Sequence, residues 1–202
     1  MIGMPSARRG KSKRTMPQYE IRIISRGSEL KKIGAKALMD YFNPIIGEKA
    51  RVKLQKKVTL AEERQYVLEQ AKLLDKKLLA KAFLFVDGRI AGVSEIRKSA
   101  IPSESHNATL SIAISRKWRG FGFGELLLRR AIAEAKRRFA PKKMWLDTYG
   151  GNKIATRLYQ KVGFVEIARL KDFHAHYGKY EDKVMMEYSP LFAKRKGARP
   201  ER

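Results

Sequence analysis

Short runs in which apolar and polar residues alternate predict the β-strands of this chain, because every second side chain of a strand faces the same side. In the run 107–115, Leu110, Ile112 and Ile114 fall on one side. Asp87-Gly88 separates two such runs and suits a type I′ turn, so these runs are expected to form a hairpin. Seven strands are predicted in all, over 19–25, 78–86, 89–96, 107–115, 144–149, 164–170 and 183–188.

Apolar residues three and four positions apart predict helices between these strands. Thr59 and Glu62 have the spacing of a capping box, and Asn152 is a residue type that caps helices. Pro44 and Pro141 are expected to stop the helices before them. The four predicted helices cover 29–42, 60–74, 124–140 and 152–162. This order of elements, without an internal repeat, indicates one α/β layer structure.

The composition narrows the class of protein. Of 202 residues, 44% are hydrophobic, which is enough for a real core. The chain contains no cysteine, so disulfides, thiolate metal sites and a cysteine acyl-enzyme are excluded. No apolar run approaches the length of a membrane span, and the first residues lack the apolar stretch of a secretory signal. We therefore expect a cytoplasmic protein without membrane contact.

The charge is strongly one-sided, with 45 Lys and Arg against 20 Asp and Glu and a net charge of +25. Basic segments occupy both ends, and we expect disordered arms over 1–17 and 191–202 around a folded domain at 18–190. The domain itself remains basic, which favours polyanions, acidic substrates or phosphorylated cofactors as partners. No nucleic-acid-binding motif accompanies this charge.

A glycine-rich segment, Arg119-Gly-Phe-Gly-Phe-Gly-Glu125, joins the predicted strand 107–115 to the next helix. Glycines let backbone N–H groups converge on one point, and the start of a helix adds unpaired donors and the positive end of its dipole. The segment is therefore predicted to bind a phosphate group, although glycines can also simply ease a tight turn. The spacing fits neither a Walker A loop nor a Rossmann fingerprint.

Two spaced motifs resemble the GCN5-related N-acetyltransferase (GNAT) superfamily. Arg119-x-x-Gly122-x-Gly124 is similar to the family's R/Q-x-x-G-x-G/A motif. The residues Asn152, Tyr159 and Gly163-Phe164 are similar to its downstream N-x(6)-Y…GF pattern. The resemblance covers about 19–188, is weakest over 29–74, and is greatest to archaeal and bacterial acetyltransferases of proteins or small amines. It implies a single α/β domain, with a mixed, mostly antiparallel sheet of about seven strands flanked by about four helices.

The resemblance also implies acetyl-CoA as co-substrate and assigns roles to individual residues. The pyrophosphate would lie on the turn, formed by Arg119, Gly120, Phe121, Gly122, Phe123, Gly124 and Glu125. The pantetheine arm would run beside Ile112, Ala113 and Ile114, one of whose N–H groups would polarise the thioester carbonyl. Asn152 would steady that arm. Tyr159 would protonate the departing CoA thiolate, although packing alone also explains a tyrosine on its apolar helix face.

The base that activates the acceptor is less evident. A lysine amine has an ordinary pKa of about 10.4, so attack near neutral pH needs a base or a water relay. Where several family members carry a glutamate in the fourth strand, this chain has Ala108 and Thr109, so the resemblance supplies no base. Glu95 and Glu104 are the nearest carboxylates in sequence and are weak candidates, since both also fit surface acids.

The histidines are interpreted as loop residues. They are His106, His174 and His176, and they lack a third ligand at a metal-binding spacing, so no metal site is expected. The last two lie near Phe173 and Tyr177, in what we expect to be a loop on the acceptor side.

Three functions therefore stay open. The first is an N-acetyltransferase acting on a protein amine, either a lysine or an N-terminal amine, with weak electrostatic contact to nucleic acid or the ribosome. The second is an acetyltransferase of small amines. The third is a nucleic-acid-binding module that keeps the fold without the activity. The oligomeric state also stays open, with a dimer among the alternatives.

Overall fold

The computed structural model describes residues 16–189, so the predicted arm 191–202 and all but residues 16 and 17 of the predicted arm 1–17 lie outside the described residues. Within 16–189 the chain forms seven β-strands, five α-helices and two short 3-10 turns. The strands are β1 (Tyr19–Ile24), β2 (Leu79–Val86), β3 (Arg89–Lys98), β4 (Asn107–Ile114), β5 (Lys143–Tyr149), β6 (Phe164–His176) and β7 (Lys179–Tyr188). The helices are α1 (Gly27–Ile33), α2 (Ala35–Gly47), α3 (Leu60–Asp75), α4 (Phe123–Phe139) and α5 (Lys153–Val162).

The strands form one mixed sheet in the order β1-β2-β3-β4-β5-β7-β6. Every neighbouring pair is antiparallel except β4 and β5, which are parallel. The predicted mixed, mostly antiparallel sheet in a single α/β domain is therefore confirmed.

The helices cover the two faces of the sheet unequally. On what we call the α4 face, Leu127 of α4, Tyr159 of α5 and Leu84 of β2 share one large core. On the opposite face, which we call the α3 face, a smaller core joins Leu30 of α1 and Leu74 of α3 to β2. This second core covers the β1–β3 half of the sheet, so the β5–β7–β6 half of the α3 face depends on another segment.

One predicted helix is two helices in the structure. Gly34 breaks the segment 29–42, because its φ of 83° lies in the left-handed region that ends α1. The expected stop at Pro44 was also wrong. Helix α2 runs through Pro44 to Gly47, and the burial of Ile45 and Ile46 in its last turn offsets the cost of a proline there.

The strand β6 is longer than predicted and extends to His176. Apolar and polar residues do not alternate clearly along β6, because it is an edge strand with mostly exposed side chains and two register irregularities. Tyr177 and Gly178, with φ of 48° and 80°, form the tight turn into β7. The interpretation of His174 and His176 as loop residues was therefore wrong, since both lie on β6.

No helix within the described range 16–189 is long and apolar enough to cross a bilayer.

Candidate active site

A gap between β4 and β5 forms the centre of the candidate site. The two parallel strands pair only over Asn107–Thr109 and Lys143–Trp145, and beyond these residues β5 pairs with β7 alone. The strands therefore separate towards their C-terminal ends. The glycine-rich turn follows the open end of β4, and Asn152 follows the open end of β5, so both lie at the mouth of the gap.

The pairing of β4 with β3 decides which backbone groups face this gap. Ser115 N–H donates to Ala91 O at 2.8 Å, and the two strands keep one unbroken register. Hydrogen bonding alternates along an antiparallel pair, so Ala113 bonds to Val93, while Ile112 and Ile114 direct their N–H groups towards the gap. Among the described residues these two N–H groups have no strand partner. Of the three residues predicted to lie beside the pantetheine arm, Ile112, Ala113 and Ile114, only the first and third therefore have an N–H group available to a ligand in the gap.

The carbonyl groups of the same segment are partly engaged. Ala113 O accepts a hydrogen bond from the Tyr41 hydroxyl at 2.7 Å, which ties α2 to β4. Ile114 O accepts one from Arg119 Nε at 2.8 Å. The other end of the Arg119 guanidinium pairs with Glu48 just beyond α2. The Arg119 side chain therefore braces the turn against β4 and α2.

The glycine-rich turn presents several unpaired N–H groups. Gly120 and Gly122 have φ of 85° and 82°, and Gly122 caps the N-terminus of α4. The amides of Gly120, Gly122, Phe123 and Gly124 have no acceptor among the described residues. A Cβ built on Gly122 would meet nothing within 4 Å, so the space beside this turn is open. The turn is suited to an anion.

The side chains of the turn contact neighbouring elements. A Cβ on Gly124 would lie 2.9 Å from Leu158, so glycine lets α4 and α5 approach closely. Phe123 is buried, and its ring stacks with that of Phe121 at 5.8 Å between centroids. Glu125 N–H already donates to Gly122 O, and its carboxylate pairs with Lys161.

Asn152 caps α5, and Tyr159 lies on this helix. The Asn152 side-chain oxygen accepts a hydrogen bond from Ala155 N–H at 3.3 Å, so Asn152 is the predicted helix cap. Its amide nitrogen has no partner among the described residues. Tyr159 is buried on the α4 face, and its hydroxyl likewise has none. Burial, and secondly the charge of Asp147, raise the pKa of Tyr159 above its ordinary value, so the hydroxyl stays protonated at neutral pH.

The structure disfavours both carboxylates considered as bases. Glu95 accepts hydrogen bonds from Lys81 Nζ at 2.9 Å and from the Tyr66 hydroxyl at 3.1 Å, and Lys81 is only 1% exposed. Burial alone would raise the pKa of Glu95, but Lys81 lowers it below its ordinary value. Glu104 lies on an exposed turn before β4, at the closed end of the gap.

Sequence reasoning missed Asp147, which lies on β5 just beyond the last pair with β4. Its side chain is on the α3 face, 10% exposed, with Oδ1 2.9 Å from Lys53 Nζ and Oδ2 4.0 Å from His174 Nε2. His174 Nε2 is buried without a hydrogen-bond partner. Burial lowers the pKa of His174, so its ring is neutral near pH 7. A lone acid inside the apolar run Met144–Tyr149 was the signal for this cluster in the sequence.

The segment 48–59, which we call the strap, covers this half of the α3 face. The Tyr149 hydroxyl donates to Val52 O at 3.2 Å, and Gln55 donates to Ala175 O at 2.6 Å. Arg51 pairs with Glu181 at 2.9 Å. The strap therefore connects α2 to the β6–β7 hairpin across this half of the α3 face.

A metal centre finds no support in the part of the chain that the structure describes. No three His, Cys, Asp or Glu residues within it come together as potential ligands.

Comparison with known proteins gives a consistent set of relatives. The model of the Acetyltransferase (GNAT) family matches residues 49–164. The L-amino acid N-acetyltransferase AaaT of Escherichia coli is 25% identical over 117 residues, which are 58% of this chain and 72% of that protein. An N-alpha-acetyltransferase of Sulfurisphaera tokodaii is 30% identical over 66 residues, 33% of this chain and 40% of that protein.

Among solved structures, a GNAT-family acetyltransferase from Streptococcus pneumoniae is similar to this chain. Its TM-score is 0.71 at 25% identity, and the match covers 84% of this chain and 98% of that one.

Proposed function

The chain belongs to the GNAT family of acetyltransferases and is an acetyl-CoA-dependent N-acetyltransferase acting on an amine; we propose that its acceptor is a protein amine. The observation that supports a protein acceptor is the openness of the acceptor side. Thr109 and Ser111 of β4 are exposed on the α3 face, directly beside the gap. A broad, open face can receive an extended segment of chain, whereas small ligands usually bind in enclosed pockets.

The co-substrate would bind along the open end of the gap. Its diphosphate fits the free amides of Gly120, Gly122, Phe123 and Gly124, where the dipole of α4 adds positive potential. The N–H of Ile112 or Ile114 would then donate to the thioester oxygen as negative charge develops there. The free amide nitrogen of Asn152 is available to the pantetheine arm from the other side of the gap.

Two residues on opposite faces of the sheet would carry out the proton transfers. Asp147 would bind the acceptor ammonium and take its proton, with the neutral His174 beside it as a further acceptor. The Tyr159 hydroxyl would supply the proton that the CoA thiolate needs as it leaves. Asp147 lies on β5, and Tyr159 lies on α5, the helix that follows β5, so both belong to elements next to the gap.

An acceptor screen tests the protein assignment. The chain is incubated with acetyl-CoA and either peptides with free N-terminal amines, lysine peptides with blocked N-termini, or free L-amino acids, and thiol release is measured. We expect the peptides to be the better acceptors. Faster release with free amino acids, the substrate class in the name of the Escherichia coli relative, would overturn the protein assignment. If none of these acceptors causes thiol release and the chain binds RNA with a strong salt dependence, the nucleic-acid module would be favoured.

The phosphate site is tested by Gly122→Glu. The new carboxylate would occupy the open space beside the turn and repel a diphosphate, so CoA affinity should fall at least about 100-fold, from the charge-assisted bonds lost. Isothermal titration with CoA measures it. Gly88→Glu is the matched control, because Gly88 also has a left-handed φ, 73°, with nothing within 4 Å of its Cβ position, but lies in the β2–β3 turn. Equal CoA affinity in both variants would contradict the site.

Tyr159→Phe tests the acid. We expect turnover to fall about 100-fold, the usual effect of losing a general acid, with CoA affinity unchanged. Steady-state kinetics and CoA titration measure the two quantities. Tyr188→Phe removes a hydroxyl from the same aromatic cluster and serves as control. A fully active Tyr159→Phe would show that Tyr159 only packs.

A further inference from the structure

Lys53 of the strap occupies the position expected for an acceptor amine. Its Nζ lies 2.9 Å from Asp147 Oδ1, the atom proposed to bind the acceptor ammonium. The Lys53 side chain is 73% exposed, whereas Asp147 is 10% exposed. The lysine therefore reaches from solvent into the acceptor side of the gap and places its own primary amine beside the proposed base.

The strap fixes this amine near the site. Val52 and Gln55 on either side of Lys53 are held by Tyr149 and by Ala175, and Arg51 is held by Glu181. The backbone at 53 is thereby anchored, and only the flexible lysine side chain has to move. An amine held in this way has a high effective concentration at the site compared with a free acceptor.

Other lysines of the strap lack this arrangement. Lys49 lies over the Tyr177 ring at 5.1 Å, and neither Lys56 nor Lys57 forms an ion pair with a described residue. Among the four strap lysines, Lys53 is the one in contact with a carboxylate. Geometry therefore separates Lys53 from neighbours of the same chemistry.

We propose that Lys53 is a self-acetylation site, modified by the same chain that carries it. The inference rests on the proposed function. Asp147 takes a proton from the Lys53 ammonium, and the neutral Nζ attacks the thioester carbonyl of acetyl-CoA. A C–N bond forms and the C–S bond breaks. The sulfur leaves with the electron pair as a thiolate and receives a proton from Tyr159. The nitrogen loses its second proton as the amide forms, and this proton returns through water to the Tyr159 phenolate, giving acetyl-Lys53 and free CoA.

The modification has a consequence for the site. An acetylated Lys53 has no positive charge and cannot keep its ion pair with Asp147. The carboxylate is then released for an external amine. Acetylation of Lys53 is thus expected to lower the KM for a peptide acceptor, because the chain's own amine no longer competes for Asp147.

The experiment is an incubation of the full chain with acetyl-CoA and no acceptor, at several protein concentrations. Peptide mapping by mass spectrometry follows acetyl occupancy at each lysine. We expect Lys53 to be acetylated at least tenfold faster than Lys56, at a rate constant independent of protein concentration. Lys53→Arg should abolish the dominant modification, and Lys56→Arg should leave it unchanged.

Two results identify reactions other than self-acetylation. Equal rates at Lys53 in the wild type and in Gly122→Glu would show uncatalysed chemical acetylation and overturn the inference. A rate constant that rises with protein concentration would show transfer between molecules and overturn it as well.

A failure of the self-acetylation proposal can be distinguished from a failure of the proposed function. If thiol is released with peptide acceptors but Lys53 stays unmodified, the self-acetylation site is wrong and the proposed protein acceptor stands. If neither reaction occurs, both proposals are wrong.

Discussion

Two lysine–carboxylate pairs on the α3 face have the same length and different surroundings. Lys81–Glu95 and Lys53–Asp147 both measure 2.9 Å. Lys81 is 1% exposed and is surrounded by Tyr66, Gln70 and Glu95, whereas Lys53 is 73% exposed. Distance alone therefore does not give a carboxylate its role. Glu95 pairs with a buried lysine, whereas the lysine that pairs with Asp147 is exposed, as the proposed exchange for another amine requires.

The pairs are also close to each other in the sheet. Lys81, Glu95 and Ser111 are register partners on neighbouring strands, and Asp147 follows across the gap, two residues beyond the last β4–β5 pair. Neighbouring strands are about 4.8 Å apart. Burial by α3 separates the structural pair from the proposed catalytic one, since Tyr66 and Gln70 close over Lys81 and no helix covers Ser111.

The largest expected effect concerns the open pair. Asp147→Asn should lower kcat by about 10²- to 10⁴-fold, the range for loss of a general base, while CoA affinity stays the same. Steady-state kinetics with a peptide acceptor and CoA titration separate the two effects. Glu187→Gln is the control, because Glu187 is a carboxylate on the same face that pairs with a lysine at 3.3 Å. Equal kcat in both variants would remove Asp147 from the mechanism.

The next effect concerns the buried pair. Lys81→Ala removes a fully buried cation and leaves Glu95, whose side chain is 18% exposed, with only Arg97 at 4.0 Å. The free energy of unfolding should fall by about 3 kcal/mol. Lys53→Ala leaves Asp147, which is 10% exposed, but the lysine itself is 73% exposed, so solvent already weakens the pair and the loss should stay below about 1 kcal/mol. Urea unfolding measures both. The double variant Lys81→Met with Glu95→Leu should recover most of the stability, because two apolar side chains need no partner. Similar losses of unfolding free energy in Lys81→Ala and Lys53→Ala would show that burial of the lysine does not distinguish the two pairs.

The smallest effect is the pH dependence of the buried pair. Pairing lowers the pKa of Glu95 in the folded state, so its stabilisation is present above the unfolded value of about 4.3 and is lost as the pH falls through the lower folded value. Burial would lower the pKa of Lys81, but Glu95 raises it, so that stabilisation is lost only as the pH rises above about 10.4.

The measurement is the difference in unfolding free energy between the wild type and the Lys81→Met, Glu95→Leu double variant. This difference should be constant from about pH 5 to 9 and should change towards both extremes. A difference that varies near neutral pH would show that another group titrates with the pair.

Local features of the fold were predictable from the sequence. The Asp87-Gly88 turn has φ of 51° and 73°, as a type I′ turn requires. Thr59 and Glu62 form both hydrogen bonds of the capping box, and Asn152 caps α5. These features depend on residues within a few positions of one another. The continuation of α2 through Pro44 and the length of β6 were not predicted, because the first depends on the burial of Ile45 and Ile46 and the second concerns an exposed edge strand with a weak pattern.

In the candidate site, too, local features were predictable from the sequence and contacts between distant residues were not. The glycine-rich turn was visible in the sequence, because the conformations of Gly120 and Gly122 and the start of α4 are local. The proposed base was not visible, since Lys53 and Asp147 are 94 positions apart and His174 comes from a third element. Glu95 was named as a candidate because sequence distance was the only available measure. Lys81, on the other strand of the β2–β3 hairpin, pairs with Glu95 and makes it unsuitable as a base.

The sequence by itself determined most of the elements, the turns and the glycine-rich bend, because backbone preference and hydrophobic period act over short stretches of chain. The tertiary structure alone decided which backbone N–H groups face the gap, which carboxylate is buried with a lysine and which one meets an exposed amine. Those outcomes depend on strand register and burial, and both arise only when distant segments pack together.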